Sequence, residues 1–186
     1  RVQNLITYGR EHPNGEFISQ ESIDRITLED TKDYLTNYSK PNNAFLVIIG
    51  DVEFEKTKSK ITDLLSGWKS GEVNANSFPI PMNPDKSEII FVDMPNATQS
   101  VVSVINTINF NKKESDYFAA LVANRILGGG GSGRLFNNLR EDKGWTYGSY
   151  SGINESYKTK GVVVAQAQVR NEVTDSSAVE LLKEID

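Results

Sequence analysis

Two side chains that can donate hydrogen bonds stand seven residues apart, on either side of a change in local structure. Residues 139–150, LREDKGWTYGSY, end a helix-compatible segment at Gly144 and then begin an aromatic run typical of a strand. Arg140 precedes this joint and Tyr147 follows it. A guanidinium fork and a phenol hydroxyl could together bind the carbonyls of an extended peptide, or an oxyanion that develops on one of them.

The same two residues also have a purely structural interpretation. Arg140 would be an exposed arginine at a helix end, favoured there by the helix dipole, and Tyr147 a half-buried strand residue. Alternation along the strand predicts that Tyr147 shares a face with Trp145 and Ser149. Gly148, directly after the tyrosine, leaves open space that another backbone could approach. From the residues alone, both interpretations stay open.

A run of glycines, LGGGGSGRL at residues 127–135, invites comparison with a phosphate-binding loop. Such a loop follows a strand, opens a helix and carries Gly-Lys-Ser/Thr or GxGxxG spacing, whereas this run follows a helix and has no lysine. The run instead predicts a chain that leaves a helix through left-handed conformations and brings two helices close together.

The sequence offers too few ligands for a metal centre. It has one histidine, His12, and no cysteine, whereas a zinc site needs three or four ligands that usually include at least two His or Cys. We therefore predict no metal ligands in this chain and place His12 in an exposed loop. A Ser/His/Asp triad would also require His12, and no GxSxG elbow is present to hold a serine.

Composition excludes other classes of function. Among 186 residues the net charge is -5 with acids and bases mixed, so no basic stripe is available for nucleic acid. The longest apolar runs, such as AFLVIIG at 44–50, are far too short for membrane insertion. The chain opens on Arg1 rather than methionine, which suggests a fragment.

Periodicity predicts an α+β fold with a largely antiparallel sheet and helices packed on one face. A capping-box-like start at Thr27 opens a helix that ends before Pro41, and Asp175 is the expected cap of the last helix. Further helices are predicted at 54–68, 114–127 and around 135–139, and strands at 44–50, 88–94, 100–110, 145–150 and 161–169. Residues 1–68 would be the C-terminal part of a first α/β unit, 69–87 a linker, and 88–186 most of a second, similar unit.

Two stretches of the chain resemble a known family. LGGGGSGRLFNNLREDKGWTYGSYS, and HPNGEF followed by SIDRITLEDTKDYLTNYSKPNNAFLVIIGDV, are similar to segments of the pitrilysin/insulinase/mitochondrial-processing-peptidase family, in the same order. In that family two halves close like a clamshell around an unfolded peptide. One half binds zinc through an inverted H-x-x-E-H motif and a distal glutamate.

The resemblance implies a role for two of the candidate residues. Tyr147 would donate to the substrate carbonyl or oxyanion, and Arg140 would anchor the neighbouring backbone. Gly148 is counted with them as a substrate-binding residue because of the open space predicted beside it. H-x-x-E-H is absent here, so zinc is expected in the parent upstream of residue 1 or in a partner subunit. The expected function is the substrate-contacting, zinc-free portion of a zinc endopeptidase acting on peptides or unfolded polypeptide. The alternative is a non-catalytic homologue that serves as partner subunit, peptide binder or scaffold.

Overall fold

One antiparallel sheet organises the computed structural model, which describes residues 2–73 and 77–186. Its strands are β1 (Gln99–Ile108), β2 (Thr146–Asn154) and β3 (Gly161–Arg170), and β3 lies between the other two. Both pairings are antiparallel. The sheet confirms the predicted α+β class.

Seven α-helices, three 3-10 turns and one π-helical turn make up the other regular elements of the described residues. The helices are α1 (Val2–Tyr8), α2 (Gln20–Asp24), α3 (Leu28–Tyr38), α4 (Phe54–Leu65), α5 (Tyr117–Leu127), α6 (Arg134–Phe136) and α7 (Thr174–Ile185). A π-helical turn, Asn137–Asp142, continues α6, and 3-10 turns lie at Pro13–Gly15, Pro41–Asn43 and Asn171–Val173. None of the described helices has the length and apolarity needed to cross a membrane.

The two predicted helix caps have different outcomes. At the start of α3, the Thr27 hydroxyl accepts from the Asp30 amide at 3.2 Å and the Asp30 carboxylate accepts from the Thr27 amide at 2.8 Å, which confirms the capping box. The cap predicted at Asp175 is wrong, because α7 begins one residue earlier and Asp175 lies in its first turn. There its carboxylate accepts from the Ser176 amide at 2.7 Å.

The core lies on one face of the sheet, under the helices. Along β3 the residues alternate: Ala165, Ala167 and Val169 are buried, while Gln166 and Gln168 are exposed. The buried side chains of β3 pack with leucines from α6, its π-helical continuation and α7: Leu135, Leu139 and Leu181. This is the predicted arrangement of helices on one face. The opposite face carries Gln166 and Gln168 of β3 together with Val101 of β1, which is 65% exposed.

Contacts group the chain into two units. One contains the segment up to Glu16 together with Pro79–Asp186, and it includes the sheet and its core; the other is Phe17–Phe78. The change of unit after Phe78 falls inside the predicted linker 69–87, of which residues 74–76 lie outside the described part. The division into parts of two similar units at 1–68 and 88–186 stays a prediction.

Two of the predicted strands do not form. Residues 44–50 and 88–94 have no strand pairing, and Phe45 and Ile89 are 100% and 99% exposed. The prediction of a strand buried on both faces at 44–50 is therefore wrong. The described residues between 17 and 78 include no buried side chain at all. An apolar, branched run favours strand geometry, but its amides and carbonyls need a neighbouring strand to pair with.

The glycine run joins α5 to α6 by close packing. A β-carbon on Gly128 would lie 2.5 Å from the Ser151 amide nitrogen and 2.8 Å from Leu135 Cδ1, so only glycine lets the end of α5 approach β2 and α6 this closely. The predicted left-handed conformations are wrong for this run, because the described glycines with positive φ are Gly9 and Gly144.

Candidate functional site

Tyr147 lies on a β-bulge. β2 pairs with β3 at Thr146 and next at Ser149, so Tyr147 and Gly148 together stand opposite the single residue Gln168. The extra residue reverses the alternation: Tyr147 is 89% exposed whereas Ser149 is fully buried. The prediction that these two residues share a face is wrong for this reason. The bulge turns the phenol onto the face of the sheet opposite the core.

The Thr146 side chain holds the bulge in place. Its hydroxyl accepts from the Gly148 amide at 3.1 Å and donates to the Gln168 carbonyl at 2.6 Å. A bulge leaves backbone groups without ladder partners, and one hydroxyl here satisfies two of them. Tyr147 is thus displayed from a fixed backbone rather than from a loose loop.

The space above Gly148 is filled by Tyr150. A β-carbon on Gly148 would lie 2.6 Å from Tyr150 Cε2 and 2.8 Å from its hydroxyl oxygen. The open space expected at this glycine is therefore taken by an aromatic ring of the same strand. Gly148 permits the ring to lie against the bulge next to Tyr147.

Arg140 lies in the π-helical turn and stacks on an aromatic ring. Its guanidinium carbon is 4.7 Å from the centroid of the Phe136 ring, and its Nε is 3.6 Å from Glu141 Oε1. The side chain stays 45% exposed. Single π-helical turns are rare and recur at functional sites. The stacking fixes the guanidinium plane and leaves N–H donors available to a ligand.

The joint between Arg140 and Tyr147 is a glycine-terminated helix end. Gly144 adopts φ of 62°, and its amide donates to the Arg140 carbonyl at 3.0 Å. The next amide, of Trp145, reaches back to the Leu139 carbonyl at 3.0 Å. A left-handed glycine is the usual way to end a helix and reverse the chain. It turns the chain from the π-helical turn directly into β2.

Aromatic contacts connect the surroundings of Arg140 with the bulge. The Phe136 ring, on which Arg140 stacks, lies 5.8 Å from the Tyr150 ring, and Tyr150 covers Gly148. Tyr147 and Gly148 line a cleft of about 320 Å³, together with Gln99, Thr146, Tyr150 and Gln168. Arg140 is not among the residues that line this cleft. It contacts Phe136, and the Phe136 ring in turn lies near Tyr150, which does line the cleft.

Hydrogen bonds to α7 fix the turn that carries Arg140. The Asn138 amide donates to Glu184 at 2.6 Å and to Glu180 at 3.0 Å, while the Lys183 ammonium donates to Glu180 at 2.8 Å. The hydrogen bond from Lys183, followed by that from Asn138, lowers the pKa of Glu180 below its ordinary value. The lowered pKa keeps the Glu180 carboxylate charged, and Glu180 and Glu184 both accept from Asn138.

Sequence reasoning missed four of the six residues that line the cleft: Gln99, Thr146, Tyr150 and Gln168. A usable signal existed for Gln168, because the strict alternation AQAQV in β3 places a glutamine outward between buried residues. Thr146 and Tyr150 line the cleft because of the bulge, and no sequence pattern predicted the bulge. Gln99 reaches the cleft only because β1 pairs with β3.

The described residues do not fit a zinc ion. Within 2–73 and 77–186, no three His, Cys, Asp or Glu side chains are grouped so that they could hold a metal. His12 is buried rather than in an exposed loop as predicted. Its Nδ1 accepts from the Asn14 amide at 3.1 Å, and its ring stacks on Tyr8 at 4.9 Å. His12 thus serves as the N-cap of the turn Pro13–Gly15.

Comparison with known families and proteins gives consistent results. The family model described as the peptidase M16 inactive domain matches residues 25–186. An uncharacterized zinc protease of Rickettsia felis is 27% identical over 95% of this chain and 42% of its own length. A non-peptidase homolog, YmxG, of Helicobacter pylori is 22% identical over 92% of this chain and 39% of its own length. The chain thus spans about two fifths of these relatives.

A solved structure shows the same fold. The crystal structure of a peptidase M16 inactive domain from Pseudomonas fluorescens superimposes with a TM-score of 0.82 at 24% identity. The match covers 98% of this chain and 44% of that one. At this level of identity the likeness concerns the fold alone.

Proposed function

The chain belongs to the peptidase M16 inactive-domain family, and from that premise we propose that it forms the peptide-contacting, zinc-free side of a two-half peptidase chamber. The substrates are peptides or unfolded segments of polypeptide. The zinc ion belongs to another part of the parent protein or to a partner subunit, since the described residues offer no group of metal ligands.

One observation carries the proposal: a phenol hydroxyl is presented on a rigid bulge beside a cleft. Tyr147 is 89% exposed, and the Thr146 hydroxyl fixes the backbone on both sides of the bulge. A hydroxyl carried on a fixed backbone can donate to a substrate carbonyl on which charge develops, which is what oxyanion stabilisation requires of a donor. Tyr147 donates to that oxygen.

Arg140 has a separate part in the proposal. Its stacked guanidinium binds a neighbouring carbonyl of the peptide and holds the backbone in place. The position of Arg140 outside the cleft, behind Phe136 and Tyr150, suits a contact to substrate residues beyond the bond that is cleaved. The two donors thus act on different peptide groups.

A second candidate function is a non-catalytic homologue that binds peptide or assembles a complex. Similarity to a protein named a non-peptidase homolog favours this candidate. The same cleft and the same donors would then hold an extended peptide without cleaving it. The two candidates differ in the effect of a metal chelator and in the effect of the Tyr147 hydroxyl on turnover.

The test is cleavage of a quenched, unstructured peptide by the intact parent, with and without a zinc chelator. For the chamber, cleavage is chelator-sensitive, and Tyr147→Phe lowers turnover by about 10²-fold or more, the usual cost of one oxyanion donor. Tyr157→Phe is the matched control, because Tyr157 is also exposed but does not line the cleft.

The remaining outcomes separate the two candidates. Wild-type turnover in Tyr147→Phe would remove this hydroxyl from catalysis. Absence of cleavage, together with peptide binding that no chelator changes, would identify the non-catalytic homologue. Absence of both cleavage and binding would contradict the two candidates together.

A further inference from the structure

Two glutamine side chains form a hydrogen-bonded pair in the cleft beside Tyr147. Gln99 begins β1 and Gln168 lies on β3, and the Gln168 Nε2 donates to the Gln99 Oε1 at 2.7 Å. Both residues line the same cleft as Tyr147 and Gly148. The pair stands on the open face of the sheet, opposite the buried core.

The pair keeps hydrogen-bonding capacity that no described residue uses. Each primary amide has one carbonyl oxygen and two N–H donors. After the bond between them, Gln168 retains its Oε1 and one N–H, and Gln99 retains both of its N–H groups. Together they present an acceptor and donors to whatever enters the cleft.

The protein already binds main chain with side-chain amides at two other places. Asn83 accepts from the Thr107 amide at 2.7 Å and donates to the Thr107 carbonyl at 3.0 Å. Asn42 makes the same two contacts with Gly71, at 3.1 and 3.0 Å. In each case one amide side chain binds both main-chain polar groups of a single residue.

The chemistry of the cleft selects the class of ligand. Its six lining residues are two glutamines, a threonine, two tyrosines and a glycine, none of them charged. Such a lining offers no opposite charge to a phosphate, a carboxylate or an ammonium group. It suits the uncharged, alternating donors and acceptors of an extended polypeptide backbone.

We infer that Gln99 and Gln168 form a main-chain recognition pair, which binds the N–H and C=O of a substrate residue next to the one held by Tyr147. The Gln168 Oε1 accepts from the substrate N–H, and the Gln99 Nε2 donates to the substrate C=O. The inference rests on the proposed function, since it assigns the residues that place a peptide in that cleft. It also predicts recognition that is independent of substrate side chains.

The test is the affinity of the intact parent for a labelled, unstructured peptide of Ala, Ser and Val, measured by fluorescence anisotropy. Gln99→Met and Gln168→Met keep side-chain length and remove the amide, and each lowers affinity about five- to tenfold, the usual effect of losing a hydrogen bond. Gln166→Met is the matched control: Gln166 is an exposed glutamine of the same strand that does not line the cleft.

A backbone-altered ligand separates recognition from a structural role. Replacing one peptide bond of the probe by an ester removes a single N–H donor. When the ester replaces the N–H that Gln168 binds, binding to the wild type becomes weaker. The same ester has little further effect on Gln168→Met, because that variant already lacks the accepting Oε1. Equal losses in both proteins would overturn the inference, as would Gln99 and Gln168 variants that bind like Gln166→Met.

The outcomes also distinguish this inference from the function on which it rests. If cleavage is chelator-sensitive and depends on Tyr147, but the Gln99 and Gln168 variants bind peptide normally, only the recognition pair is overturned. A wild-type parent that neither binds nor cleaves the peptide overturns both.

Discussion

At the scale of single residues, Tyr147 shows how one backbone irregularity decides what a side chain can do. In a regular strand it would share the buried face with Ser149; the bulge places it on the open face instead. Thr146 and Gly148 make this possible, one through its hydroxyl and the other through its lack of a side chain. The candidate donor therefore depends on its two neighbours as much as on itself.

The Gly148–Tyr150 contact can be tested by stability. Gly148→Ala would place a β-carbon 2.6 Å from Tyr150 Cε2, so the half-exposed ring has to move aside, and we expect a loss of about 1 kcal/mol in the free energy of unfolding. Denaturant titration measures it. In a Tyr150→Ala background the ring is absent, and the same substitution should cost less than about 0.5 kcal/mol. An equal cost in both backgrounds would show that backbone conformation, not the ring, requires glycine.

Residue types and spacing predicted that Arg140 and Tyr147 flank a helix-to-strand joint. In the structure Arg140 lies in the π-helical turn before this joint and Tyr147 in β2 after it. Sequence could not give their surroundings. The ring of Phe136 under Arg140 follows from helical spacing, whereas Gln99 and Gln168 come together only through strand pairing across 69 residues. Contacts at such separation leave no local pattern to read.

At the scale of elements, the π-helical turn and α7 act as one support for Arg140. Asn138 bonds two glutamates of α7, and Arg134 pairs with Glu184 at 2.8 Å. The contacts join residues 42 to 50 positions apart, so they tie local geometry to the tertiary fold. A change in the charge of the α7 glutamates is therefore expected to weaken the hydrogen bonds that hold the turn carrying Arg140.

Glu180 gives this support a pH dependence. Its pKa is lowered in the folded protein by hydrogen bonds from Lys183 and Asn138. A lowered folded-state pKa means that the stabilisation is complete above the ordinary glutamate pKa and is lost as pH falls through the lowered value. Thermal unfolding across acid pH should show wild type and Glu180→Gln converging as the pH falls.

A second variant identifies the cause of this convergence. Lys183→Met removes the larger contribution and should reduce the pH dependence of the wild type without abolishing it. Parallel profiles for wild type and Glu180→Gln over the whole acid range would contradict the role assigned to this carboxylate.

At the scale of the whole molecule, apolar surface is distributed unevenly between the two units. The unit with the sheet has a leucine-rich core, whereas the described residues of Phe17–Phe78 include no buried side chain. Helices α3 and α4 expose Leu28, Leu35, Phe54 and Leu64. Apolar faces of this extent are characteristic of surfaces that pack against further structure.

Hydrogen exchange would test the unpaired state of 44–50. Among the described residues, the amides of 45–49 donate no hydrogen bond, so they should exchange at the rates of an unstructured peptide. Amides in the middle of β3, which pairs on both sides, should exchange at least about a hundredfold more slowly in the same sample. Comparable protection in the two segments would mean that 44–50 is paired.

The sequence by itself determined the features that depend on neighbours along the chain: the capping box at Thr27, the strand AQAQV with its buried face, and the helix end at Gly144 before Tyr147. Each follows from residue type and short-range periodicity. Only the tertiary structure decided the bulge, the cleft with Gln99 and Gln168, and the absence of a strand at 44–50. Strand pairing joins residues far apart in sequence, so the partner, and not the propensity of the segment, determines where a strand forms and which way its side chains face.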